Sequence, residues 1–205
     1  MDIDQFWQLI EQSHAETSTK AMRIDWLQGR VSELGAEDIL DFQVWIEIME
    51  RRSSQWDLYA AFCNLLFEGS GDAFFGFQYW PIGQGRESFE MIVASPDRLS
   101  ELNQVRVFRD AVIRGRGSRR KVTWSDDEYP SFEDLASVAY RAYASKDEMS
   151  SVSYEEVIYI LRQRVDAKVD LGQYGIGVWG EQWDVDDRRE LLRRLPMTAH
   201  CLGIS

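Results

Sequence analysis

Along most of the chain, apolar residues recur at spacings of three and four, the period of an amphipathic helix. Phe6, Leu9 and Ile10 form one such face, and Trp7 widens it. Asp2 stands ahead of this face with Gln5 three positions on, which predicts a reciprocal capping box. Met22, Trp26 or Leu27, Val31 and Leu34 form a second face, with Ser18 or Thr19 as its cap and Gly35 at its end. A third segment, from about Glu37 to Arg52, is apolar on more than one side through Ile39, Leu40, Phe42, Val44, Trp45, Ile46, Ile48 and Met49. A helix of that kind belongs at the centre of a core. Its acids come first and Arg51 and Arg52 last, the order that the helix dipole favours.

The pattern continues with Ser53 or Ser54 as the cap of a helix through Trp56, Tyr59, Ala60, Cys63, Leu66 and Phe67. A Gly-rich turn follows, then the aromatic run Phe74, Phe75, Phe77, Tyr79 and Trp80, which Pro81 is expected to stop or kink. At helical spacing such a run is core before it is a ligand pocket. A short helix should hold Phe89, Ile92 and Val93, and Ser95-Pro96 should open another. After Pro130, the pairs Ser131/Asp134 and Ser153/Glu156 predict two further capped helices. Asp184 is placed as the cap of a last short helix that Pro196 ends. Between about Asn103 and Pro130 the pattern breaks. Val105, Arg106 and Val107 alternate, and so do Val122, Thr123 and Trp124. A β-hairpin or extended arm fits this stretch best, with helix through Ile113 as the alternative. The expected fold is therefore mainly α: one multi-helix domain over residues 1–205, with a small irregular or β-hairpin insertion at about 105–125.

Composition narrows the class. Eight Trp and 13% aromatic residues in a 205-residue chain require many buried rings, which excludes a disordered protein. The formal net charge of −12 opposes nucleic acid and anionic membranes on average and favours a basic partner. Cys63 and Cys201 are too distant in sequence for metal spacing and set up no disulfide framework, which suits a reducing cytoplasm. The acidic start, Met1-Asp2-Ile3-Asp4, lacks the basic region of a signal peptide, and no window approaches 18 consecutive apolar residues. A cytoplasmic protein without a membrane span is expected.

Three passages carry a resemblance. They are Phe6-Trp7-x-Leu9-Ile10, then Ser70-x-Asp72-x-Phe74-x-x-Phe77-x-x-Trp80-x-Ile82-x-x-Gly85-Arg86, and then Trp183-Asp184-x-Asp186-Asp187 with Arg193-Arg194-Leu195-Pro196 after it. In that order they resemble DUF4240, a bacterial family of unknown function, from residue 6 to residue 196. The segment from about 105 to 125 fits least well. The resemblance implies a fold more than an activity. The chain departs from the family pattern at Gly71, where the resemblance implies Asp, at Gln78, where it implies Arg, and at Pro81, where it implies Leu. One acid and one base are thus missing together, which suggests that the two pair with each other in relatives.

Four sets of residues invite a functional reading. Glu181, Asp184, Asp186 and Asp187 could bind Mg²⁺ or Ca²⁺, although acids at a helix start serve first as caps. Gly83-x-Gly85-Arg86 could hold an anion, but a turn with Arg86 paired to Asp72 or Glu90 is the simpler reading. Asp72 itself reads as a helix cap before it reads as a general base. Residues 105–121 hold seven bases against one acid, a net +6. Arg116, Arg119, Arg120 and Lys121 could there contact RNA or DNA, or lie on the protein's own acidic surface. His14 and His200 stand at opposite ends, and no helical His pair makes a zinc site. No dinucleotide, P-loop or nucleophile-elbow motif is present, so no cofactor is expected. The leading expectation is a protein-interaction module that masks a basic partner, in the manner of immunity proteins and antitoxins. The alternative is a metal-binding protein or hydrolase that uses the acids near Asp184.

Overall fold

The computed structural model describes residues 1–115, 124–146, 153–168 and 177–205. Helix α1, Ile3–Glu16, opens on the predicted box: Asp2 N donates to Gln5 Oε1 at 2.9 Å, and Gln5 N donates to Asp2 Oδ1 at 2.8 Å. Helix α2, Lys20–Ser32, is capped by Thr19, whose Oγ1 accepts from Met22 N at 3.2 Å. Helix α3, Ala36–Ser53, packs on α1 and α2, and its seven core residues from Ile39 to Met49 are buried. It also packs on α5 (Gly71–Gly83), α8 (Val138–Ala144) and α9 (Tyr154–Lys168), and so takes the central place that its apolar faces demand.

Helix α4, Trp56–Leu66, and α5 enclose the aromatic core. Tyr59, Phe62, Phe74, Phe77 and Trp80 meet in successive ring pairs with centroids 5.0–6.0 Å apart. Pro81 does not stop α5 at Trp80, contrary to expectation; the helix runs on to Gly83. Proline so near the end removes little of the ladder, and the turn closes through Gln84 N donating to the carbonyls of Trp80 (3.2 Å) and Pro81 (3.1 Å). The cap of α5 is Ser70, not Asp72. Helix α6, Arg86–Ala94, leads to a 3-10 segment, Pro96–Glu101, with proline at its first position.

Of the two readings of the stretch after residue 103, the helix through Ile113 forms and the β-hairpin does not. Asn103–Gly115 is helix α7, with Val105 and Phe108 buried and Val107 exposed. The alternation of Val105, Arg106 and Val107 was one turn of a helical face that runs Val105, Phe108, Val112. Residues 116–123, and with them Arg116, Arg119, Arg120 and Lys121, lie outside the described residues. Among the described residues there is no strand, only one parallel bridge between Gln55 and Trp179. Ser131 and Asp134 do not box a helix either. The segment starts as a 3-10 turn, Glu133–Ser137, and becomes α8 only at Val138. The box at α9 does form: Ser153 N donates to Glu156 Oε2 at 2.9 Å, and Glu156 N to Ser153 Oγ at 3.2 Å.

Two long-range caps hold the C-terminal part. Neither Ser53 nor Ser54 caps α4; their hydroxyls donate to the Glu50 carbonyl. Instead Trp56 N donates to the Trp179 carbonyl at 2.7 Å, and Trp179 N to the Ser54 carbonyl at 2.7 Å. The indoles of Trp56 and Trp183 reinforce this strap, bonding the Trp183 carbonyl (3.0 Å) and Asp57 (2.8 Å). Buried Asp97 accepts from Met197 N and Thr198 N, both at 2.7 Å, and so caps α11, Pro196–Cys201. Helix α10, Arg188–Arg194, lies just before it. No described helix is long and apolar enough to cross a membrane.

Candidate functional site

The residues singled out in the sequence do not converge. Asp72 is exposed in the first turn of α5. Arg86 pairs with neither Asp72 nor Glu90 but with Asp4, at 2.7 Å, while its backbone N–H donates to Glu11 at 3.1 Å. Glu11 thereby caps α6 from another helix. It approaches Gly85, whose φ of +92° suits glycine alone. Glu90 is held by both terminal nitrogens of Arg52, at 2.7 and 2.6 Å. In the C-terminal acidic group, Asp184 accepts from Asp186 N at 3.0 Å, and Glu181 pairs with Arg194. The cap of α10 is Asp187, not Asp184; its carboxylate accepts from Arg189 N at 2.8 Å. Among the described residues, no group of three or more His, Cys, Asp or Glu is arranged to hold a metal ion.

The positions where the chain departs from the family pattern are also separate. Gly71 is exposed at the start of α5, where a Cβ would meet no other part of the protein within 4 Å, whereas Gln78 is 4% exposed and faces α3. Gln78 Nε2 donates to Glu50 Oε1 at 3.2 Å and also bonds Ser54. The two positions therefore have different surroundings, and Glu50, not residue 71, is what residue 78 meets.

Glu50 belongs to a cleft of ≈ 920 Å³. Helix α3 contributes Gln43, Glu47, Glu50 and Arg51, and α5 contributes Phe75 and Tyr79. The opposite wall is the stretch from Ser131 to Arg141, with Lys20 and Asp126 at the rim. Two glycines of α5 bring that wall close. A Cβ at Gly76 would stand 2.8 Å from Ser131 Oγ, and one at Gly83 would stand 2.7 Å from the Phe132 ring. Phe132 N also donates to the Gly76 carbonyl at 3.1 Å.

Glu47, Glu50 and Glu133 line this cleft together with Tyr79. Burial raises the Tyr79 pKa well above the usual tyrosine value, and the charges of Glu50, Glu47 and Glu133 raise it further. Glu50, 19% exposed, is itself raised by burial. Its hydrogen bonds from Ser54 and Gln78 and the charge of Arg51, 3.7 Å away, pull in the other direction without cancelling the effect. Phe75 is 43% exposed and meets Tyr79 edge to face at 5.2 Å. Gln43 Oε1 is buried without a hydrogen-bond partner among the described residues. The lining thus offers hydrogen-bond acceptors, negative charge and aromatic faces, which together suit an organic cation. The sequence did carry a signal for it: Gln43, Glu47 and Glu50 form a polar file at spacings of four and three, and all remaining positions from Phe42 to Met49 are apolar.

Neither a curated protein nor a solved structure matches the chain. A family model described as "Protein of unknown function (DUF4240)" matches residues 1–145. The matched part runs from α1 through α8 and holds every residue that lines the cleft except Leu161. The strap with Asp184, Asp186 and Asp187 lies beyond it, so the matched region ends earlier than the motif at 183–196 suggested. The match spans well over half of the sequence, and the chain belongs to the DUF4240 family.

Proposed function

We propose that the protein is an interaction module for a basic partner and that the cleft between α3, α5 and α8 receives an arginine or lysine side chain of it. The observation that carries this reading is that Glu47, Glu50 and Glu133 line one cleft together with Phe75 and Tyr79. Asp126 and Asp134 add to the negative charge, and Lys20, Arg51 and Arg141 only partly balance it. A guanidinium could lie on the open face of Phe75 while its N–H groups meet the carboxylates. The net charge of −12 would speed the encounter.

Titration with an arginine-rich peptide, followed by calorimetry at rising salt, tests this. Affinity should fall as salt rises. Glu47→Gln and Glu133→Gln should each weaken binding about fivefold, corresponding to roughly 1 kcal/mol for a part-exposed charge pair. Phe75→Ala should weaken it by a similar factor through the lost cation–π contact. Binding that survives all three substitutions unchanged would place the partner elsewhere and end the proposal.

A further inference from the structure

A smaller pocket of ≈ 140 Å³ shares Lys20 and Phe132 with the cleft. It is lined by His14, the turn Thr17-Ser18-Thr19, Lys20, Arg23, Trp80, Gln84, Gln104, Asp127 and Phe132. At about 30 Å³ per water it has room for about four waters, or for one tetrahedral oxyanion with a water beside it.

The unusual member is Arg23. It is only 7% exposed, yet no carboxylate pairs with it among the described residues. Nε and Nη2 donate to Ser13 Oγ, both at 3.3 Å, and Nη2 also reaches the carbonyls of Ile10 (3.4 Å) and Gly83 (2.8 Å). Nη1 has no hydrogen bond within the described residues and lies beside Gly83, 3.5 Å from where a Cβ would stand. The ring of Phe132 sits under the guanidinium, 4.9 Å away. A buried guanidinium without a counter-charge is costly, because carbonyls and a hydroxyl replace only part of its hydration.

The remaining charges around the pocket do not neutralise it. Burial lowers the Arg23 pKa to about 10. Burial also lowers both His14 and Lys20, and in each the positive charge of Arg23 adds to the effect. The nearby carboxylates, Asp126 and Asp127, act on Lys20, and Asp127 accepts from the Lys20 backbone N–H at 2.7 Å. The Lys20 ammonium is directed to the carbonyls of Asp126 and Tyr129. The pocket is lined by Arg23, whose Nη1 makes no hydrogen bond among the described residues, and by the start of the thirteen-residue α2, where Lys20 N donates to Asp127, Met22 N donates to Thr19 Oγ1 and the Ser18 hydroxyl reaches Met22 Sδ at 3.5 Å.

We infer that this pocket binds a phosphate-sized tetrahedral oxyanion, with Arg23 Nη1 as its charged donor and the Ser18 hydroxyl, turned from Met22 Sδ, beside it at the start of α2. An anion there would supply the counter-charge that Arg23 lacks, in an arrangement suited to a guanidinium edge and a helix N-terminus. This site goes beyond the cleft reading and does not depend on it, although the two share Lys20 and Phe132 as a common wall.

The test is an amide NMR titration of the full ¹⁵N-labelled chain with inorganic phosphate at constant ionic strength. Phenyl phosphate and acetate serve as parallel ligands. Saturable shifts of the Thr19, Lys20 and Arg23 signals are expected with both phosphates. A monoester that binds more tightly than phosphate identifies a ligand whose tail leaves the pocket; equal affinity identifies the bare group. Ser18→Asp places a carboxylate at the pocket mouth, where the dipole of α2 tolerates it, so the fold should persist while phosphate affinity falls about tenfold or more. Asp127→Asn keeps an acceptor for Lys20 N–H but removes the resident charge, and should raise the affinity about fivefold. Absence of saturable shifts in the parent chain overturns the inference. So does acetate binding as tightly as phosphate, or indifference of the phosphate affinity to both substitutions.

Discussion

Glu50 is the residue at which folding and the candidate site pull against each other. Burial raises its pKa in the folded chain above the ordinary value of 4.5. A carboxyl group raised in this way contributes stability below its unfolded pKa and loses that contribution as pH rises through the folded value. Above that window the folded state carries an ionised, half-buried carboxylate. Glu50→Gln should therefore gain stability relative to the parent as pH rises from about 4.5 through the folded value, measured as the difference between two urea-unfolding series. A constant difference across pH would show that Glu50 has no such role. Glu90 runs the other way: the hydrogen bonds from Arg52 lower it, so its contribution is present above the ordinary value and is lost on acidification. Nothing in the sequence separates these two glutamates. Each stands on a helix, and only the tertiary structure sets the sign of the shift: burial raises Glu50 against the pull of Ser54 and Gln78, and the hydrogen bonds from Arg52 lower Glu90.

At the scale of elements, most helices were legible because their signals are local. The boxes Asp2/Gln5 and Ser153/Glu156 and the cap Thr19 each lie within four residues of what they bond, so the period and the cap can be read together. The failures have two causes. Asn103–Gly115 was read as alternating because two valines flank an arginine, and the longer period through Phe108 and Val112 was outweighed. Helices α4 and α11 take caps from residues more than 90 positions away, which no local pattern announces. Asp97→Ala should cost about 2 kcal/mol in thermal or urea unfolding, since two backbone N–H groups lose a buried charged acceptor. Faster hydrogen exchange at Met197 and Thr198 should accompany it, and unchanged exchange there would remove Asp97 as the cap. Gly83→Ala should cost about 2 kcal/mol despite its gain in helix propensity, because the added carbon meets the buried Phe132 ring at 2.7 Å. Gly76→Ala should cost less, since Ser131 Oγ can rotate away. The two unfolding midpoints decide the order.

Across the whole molecule, the sequence by itself determined the class and the surface. Helical periodicity, buried aromatics and a net charge of −12 follow from residue types and short spacings, and the mainly α fold follows from them. The family resemblance was legible too, with its strongest passage, Ser70 to Arg86, inside the matched residues 1–145. Only the tertiary structure decided where function could reside. The cleft is made when α3 and α5 meet the stretch from Ser131 to Arg141, and the anion pocket when Arg23 meets Gly83 and Phe132. Caps and helical faces are set by interactions within one or two turns, whereas concavity, desolvation and the choice of partner for a charge depend on which distant surfaces are pressed together. That choice depends on how the apolar faces pack, and a one-dimensional pattern of apolar positions does not specify the pairing.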